Sequence, residues 1–190
     1  ASDVYKRQHF NFNSQIENKL NLKNNWGPRA DLRVKKMKVR DSRHFVASTS
    51  AVEHITTVLA CWIILNNHVL NNAEPEVKKL WMWHAKEEIE HRNVAIDLYN
   101  ELGGSDQWRI KWMRIMYFLT ALDLTRQTIN NIWRMGGFFK PSTWINGFKF
   151  LFGVSGVFRW SYPLFKSYAE KNYHPSKHDE LINYVLSIKT

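Results

Sequence analysis

Glycine and proline are scarce in this 190-residue chain, eight and five in all, and they fall as punctuation between long unbroken runs. Neither residue occurs between Pro28 and Pro75, between Pro75 and Gly103, or between Gly104 and Gly136. Runs of that length suit helices and argue against an all-β fold, which needs a turn every few residues. Asp41-Ser42 predicts the cap of a long helix reaching about Leu70. Asn71 to Pro75 is a short break, and Pro75 suits the first turn of a second helix, with Glu74 and Glu76 at its positive end. That helix is expected to stop at Gly103-Gly104 after Leu102. A third is expected from Asp106 to about Met135, ending at Gly136-Gly137. Further helical segments follow from Pro141, through Gly153 and Gly156, to about Lys171. A loop over Asn172 to Lys177 then precedes a short last helix ending near Ile188. Upstream, His9 to about Leu22 reads as the tail of a helix broken by Asn24 to Pro28, and Arg33 to Arg40 as an exposed basic stretch. The expectation is an all-α, up-and-down bundle, with residues 9–190 as one domain.

The most informative run is Pro75 to Leu102. Positions spaced alternately four and three apart read Val77, Trp81, His84, Glu88, His91, Ala95 and Leu98. Such spacing keeps side chains on one face. At about 100° per residue, the two imidazoles and the carboxylate fall within roughly 60° of one another. The ends of the stripe are apolar, as a buried seam requires. A carboxylate buried beside two histidines needs compensation, and a bound cation supplies it. The Glu88-x-x-His91 pair has the i, i+3 spacing that lets two ligands reach one ion or a pair of ions. The preceding helix has a similar seam, Val46, Ser50, Glu53, Thr57, Ala60 and Ile64, with a single carboxylate among small or apolar residues. His54 lies about 100° away from Glu53, which favours Glu53 as the ligand. Glu87, Glu90, Lys86 and Arg92 are expected on the outer surface, and His68, His174 and His178 on the surface or in loops.

The chain is basic, with a formal net charge of +10. That fits a solvated surface, an anionic substrate or a negatively charged membrane surface. No helix-turn-helix, zinc-finger or RNP pattern is present, so nucleic acid is not an expected partner. Cys61 is the one cysteine, inside the apolar run Val58 to Leu65. It excludes a disulfide within the chain and fits a reducing, cytoplasmic location. The run by itself is too short to span a bilayer.

Several motifs resemble one family. Trp83 to His91, followed by Val94-Ala95-Ile96-Asp97, resembles the signature of bacterial proteins described as predicted metal-dependent hydrolases. Ala51-Val52-Glu53-His54 resembles that family's Glu-His signature, and His9 to Asn13 its His-x-x-Phe-Asn stretch. Pro141 to Trp144, Phe148 to Gly153 and Tyr173 to Pro175 are similar to its C-terminal segments. The resemblance implies a ferritin-like fold with extra C-terminal helices and a di-metal centre. The ligands it implies are a Glu on a first helix, Glu-x-x-His on a second, Glu on a third and His-x-x-x-Glu-x-x-His on a fourth. The last element is also similar to di-iron N-oxygenases of the p-aminobenzoate type, and that likeness implies a ligand role for His84. The metal ligands expected in this chain are therefore Glu53, His84, Glu88 and His91.

Against that pattern the first helix is absent and the second is present only as its tail. Asp3 to Gln8 matches an in-frame translation of a transposon end used to build sequencing libraries. Residues 1–8 are therefore expected to be foreign to the gene, and the chain to be an N-terminally truncated fragment that is inactive with an incomplete site. A natural polar start is the alternative. The intact parent is expected to hold two metal ions, iron or manganese, because mixed carboxylate and imidazole ligands suit those ions. It would act on a small molecule by hydrolysis or by oxygenation. The rival expectation is a non-enzymatic, membrane-peripheral helical protein. It rests on the bases and aromatics of Trp108 to Leu119 and Trp144 to Tyr162.

Overall fold

The computed structural model describes residues 41–188, together with Leu32 and Lys35. Residues 1–8, the expected helix tail over 9–22 and the basic stretch over 33–40, apart from the exposed Lys35, lie outside the described residues. No strand occurs among the described residues, and the fold is all-α.

Helix α1 spans Ser42–Leu65. Asp41 caps it, its carboxylate accepting the Arg43 N–H at 2.9 Å, which satisfies one of the unpaired amides of a first turn. The Arg43 side chain holds that carboxyl down at about 2. At the other end, the buried Asn66 side chain donates to Trp62 O at 2.9 Å and closes the last turn. A 3-10 turn, Asn67–Leu70, follows, so the α-helix ends one turn before the expected Leu70.

Helix α2 opens at Pro75, as the sequence predicts, and runs Pro75–Glu90. The expected continuous helix to Leu102 is interrupted. The hydrogen-bond ladder tightens into a 3-10 turn over His91–Asn93 and resumes as α3, Val94–Glu101. Gly103, at φ 70°, then turns the chain. Gly104 leaves room for the Tyr99 ring, whose nearest atom would stand 2.3 Å from an added Cβ. Helix α4 spans Asp106–Arg134, capped by Ser105, and stops at the positive-φ Gly136. Helices α5 (Pro141–Phe152), α6 (Val157–Ser167) and α7 (Asp179–Ser187) complete the chain, with a 3-10 turn over Pro175–His178 before α7.

The core is built along α1. Its C-terminal half packs Ala60, Cys61 and Ile64 against Met82, Ala85 and Ile89 of α2 and Ile182 and Val185 of α7. Its middle packs Ala51 and Ile55 against Ile96, Met113, Tyr168 and Tyr173. Its first turns pack Val46 and Ala47 against Tyr99 and Trp112. By length and composition α1 could cross a membrane, but 61% of its most apolar window is buried within the structure. It is the central helix of the bundle.

A buried cation fixes the C-terminal segment to this core. Arg109 is 2% exposed. Its guanidinium donates to Tyr168 O, to Glu170 O at 2.7 Å and to the Asp106 carboxylate at 2.7 Å. The other Asp106 oxygen accepts the Asn172 N–H at 3.0 Å. One ion pair therefore satisfies three backbone groups of the turn that carries Tyr168 and Tyr173 into the core. Replacing Arg109 by Met leaves two carbonyls and a carboxylate without their donor. The expected loss is about 3 kcal/mol of unfolding free energy in urea titration. A loss under about 1 kcal/mol would show that the clamp is dispensable.

Candidate metal centre

Glu53 and His54 are consecutive on α1, and the helix turns them toward different neighbours. Glu53 faces the break between α2 and α3. Its Oε2 accepts the Ala95 N–H at 3.3 Å, an amide in the first turn of α3. The 3-10 interruption at His91–Asn93 creates that helix start, so the Glu53 carboxylate sits where a helix N-terminus favours negative charge. Burial nevertheless raises its pKa above the ordinary carboxylate value. The Ala95 amide and His91 act against the rise, and Glu88 adds to it. Glu53, Glu88 and His91 thus act on one another across the α1–α2 interface. Thr57, one turn along α1, donates its hydroxyl to the Glu88 carbonyl at 3.2 Å and ties the two helices together there.

On α2, His84 Nε2 lies 3.6 Å from Glu88 Oε1, with the two side chains 26% and 28% exposed. Trp81 sets its ring edge against His84, with centroids 6.0 Å apart. His91 is exposed. The expected ligands therefore gather around one region, but His84, Glu88 and His91 do not form a buried seam. The buried positions of α2 and α3 are Met82, Ala85, Ile89, Ala95, Ile96 and Tyr99. Apart from Ala95, each of these lies one residue beyond a member of the expected stripe, a rotation of about 100°. Both stripes carry helical spacing. The apolar one takes the interior beside α1 and α7, and the charged one keeps partial contact with water. Trp81, Val94 and Leu98 stay 41%, 62% and 45% exposed on that outer face. Among the described residues no three His, Cys, Asp or Glu side chains close around a point that could hold an ion. The donors are of a kind that suits a hard or borderline divalent cation, but they do not by themselves enclose one.

His54 is a core residue. It is 5% exposed, its Nε2–H donates to Leu164 O at 3.2 Å, and its Nδ1 accepts the Tyr173 hydroxyl at 3.3 Å. Burial lowers its pKa to about 3, so it is neutral at physiological pH. One expectation is corrected on this side, that for Arg92, and two histidines gain named partners. His178, in the 3-10 turn before α7, donates its Nε2–H to Ser167 Oγ at 2.8 Å. His174 is bonded to Asp97 Oδ1 at 2.9 Å. Arg92, expected outside, has a side chain only 16% exposed and bonds Ile89 O and Asp179 Oδ1, joining α2 to α7. No local pattern announces these long-range contacts. A cavity of about 20 Å³ among His54, Thr57, Cys61, Arg92, Tyr173 and His178 has room for little more than one water. It is not a substrate pocket. Cys61 also lines it, and burial pushes its thiol up to about 12, too high to supply a thiolate ligand.

A family model described as predicted metal-dependent hydrolase matches residues 4–179. The chain belongs to that family. The match takes in α1 to α6 and both signatures around Glu53 and Glu88. No curated protein and no solved structure matches the chain. Membership of this family points to metal ions as cofactors.

The division between Glu53 and His54 has a consequence for acid stability. The folded-state pKa of His54 is depressed from 6.5 to about 3. Below pH 6.5 the unfolded chain therefore binds a proton that the folded chain excludes. This contribution is fully present above pH 6.5 and is lost as pH falls toward 3. His54→Gln should lower stability at pH 7. Between pH 6.5 and 4 its stability should fall less steeply than wild type, by up to about 1.4 kcal/mol per pH unit. Urea titrations across that range check this, and parallel pH profiles would contradict it.

Proposed function

We propose that Glu53, His84, Glu88 and His91 are this domain's share of a ferritin-like di-metal centre that hydrolyses a small molecule. The observation that carries the reading is Glu53. It is a partly buried carboxylate that accepts the Ala95 N–H at 3.3 Å, its pKa is raised by burial, and the charges of His91 and Glu88 both act on it. Such a group is destabilised in its charged form until a cation joins it. Further donors would come from outside the described residues. Iron or manganese suits the mixed carboxylate and imidazole set, and Cys61 is unsuited as a ligand. When bound, such an ion lowers the pKa of a coordinated water and polarises the bond to be cleaved.

The residues of the chain have distinct parts in this scheme. The Ala95 amide orients Glu53 through Oε2. Thr57 fixes the α2 backbone at Glu88. Glu88 and His84 already stand 3.6 Å apart on successive turns. Partial exposure of His84 and Glu88 leaves the region open to a substrate, with the Trp81 ring beside His84.

Oxidative chemistry at the same centre is a second reading, favoured by the approach of His84 to Glu88 as an additional nitrogen donor. The two readings separate by oxygen uptake when ferrous iron is added to the protein. Elemental analysis after growth in iron- and manganese-supplemented medium tests both. Metal should co-purify with the protein and fall at least tenfold when His84, Glu88 and His91 are all changed to Ala. Metal-free wild type, or full retention by the triple variant, would overturn the assignment.

A further inference from the structure

Between Leu124 and Ala169 the chain carries six bases, at Arg126, Arg134, Lys140, Lys149, Arg159 and Lys166, and no acid. The same segment holds twelve aromatic residues. Helix α5 lies in its middle, and no residue of α5 is buried. It packs on α6, with Phe152 stacked on Phe158 at 5.5 Å. Phe150 links it to Trp62 of α1 at 5.2 Å. Other apolar side chains of α5 stay largely open to solvent although Trp144 touches Phe138 and Phe148 touches Phe152. Trp144, Ile145 and Phe148 share one face within about 100° and are 45%, 55% and 65% exposed. At the end of α4 and in the turn before α5, Trp133 and Phe139 are 58% and 81% exposed. Phe138 packs against Trp133, Phe139 and Trp144 and knits the turn to the helix. Arg134, Lys140 and Lys149, on the same elements, are exposed.

A contiguous apolar surface of this kind marks an interaction face. We propose that α5 and the α4–α5 turn dock on an anionic lipid bilayer. The aromatic side chains would enter the interface, and Arg134, Lys140 and Lys149 would meet headgroup phosphates. The charge pattern selects this occupant. A second copy of the same face would bring bases against bases with no acid in the segment to answer them. An anionic surface answers all of them, and amphipathic aromatics with flanking Lys and Arg are the composition that lies in such an interface.

Sedimentation of the full chain with vesicles tests this. The vesicles are phosphatidylcholine alone, or phosphatidylcholine and phosphatidylglycerol in equal parts. Binding to the anionic vesicles should be at least tenfold tighter and should weaken as salt rises. Ile145→Asp combined with Phe148→Asp should abolish binding while leaving far-UV circular dichroism unchanged, because both side chains are exposed. Lys140→Gln combined with Lys149→Gln should remove most of the preference for anionic vesicles even if the first variant fails to fold. No binding to either vesicle would overturn the proposal, as would equal binding to both or wild-type binding by the lysine variant. So would a wild-type dimer that the Ile145/Phe148 variant converts to monomer, which would assign the face to a second copy.

Discussion

A helix buried around most of its circumference must find neighbours on every side, and α1 is such a helix. From Val46 to Ile64 it carries mostly small and aliphatic residues, and each of the three core clusters is built on it. The remaining helices are placed by the stretch of α1 that they cover. Its end meets α2 and α7, its middle meets α3, α4 and the segment after α6, and its start meets α3 and α4. Two ionisable side chains in the middle of this helix cannot both be charged without compensation. The fold treats them differently. His54 is enclosed among Phe165, Tyr168 and Tyr173 and held neutral by two hydrogen bonds. Glu53 is placed at the rim, against a helix start, where the charges of His91 and Glu88 act on it.

That placement connects fold to chemistry. Burial and the Glu88 charge disfavour the Glu53 carboxylate, while the Ala95 amide and His91 favour it. The 3-10 turn at His91–Asn93 supplies the helix start that receives Glu53. An interruption of this type within a longer helical run often accompanies a functional position. Here it brings a carboxylate of α1 together with the Glu88 and His91 end of α2. Burial thus disfavours the charged form of Glu53 at this interface.

The ends of the helices were legible because they depend on local chemistry. Asp41, Pro75, Gly136 and Pro141 each act within one turn of their own position, and the structure starts or stops helices at those points. The break at His91 was not legible, since neither Gly nor Pro marks it. Nor was the rotation of α2. Trp81, His84 and Glu88 have the same spacing as Met82, Ala85 and Ile89, and only packing against α1 and α7 decides which set turns inward. Glu53 was legible as a lone carboxylate in an apolar seam, and the separation of Glu53 from His54 followed from helix geometry. The roles of Arg92, Arg109 and His178 depend on partners far away in sequence, at Asp179, at Tyr168 and Glu170, and at Ser167.

The central claim is that Glu53 is kept in a site that disfavours its charge because a cation completes that site. Thermal unfolding of wild type and Glu53→Gln, each with and without manganous ion at pH 7, tests it most directly. The folded-state pKa of Glu53 is raised, so at neutral pH its charge opposes folding in metal-free protein. Gln retains an acceptor for the Ala95 amide. Without metal, Glu53→Gln should therefore unfold at a higher temperature than wild type. With manganous ion, wild type should gain stability and the variant should gain little. A variant that is less stable without metal, and that manganous ion stabilises as much as it does wild type, would contradict the claim.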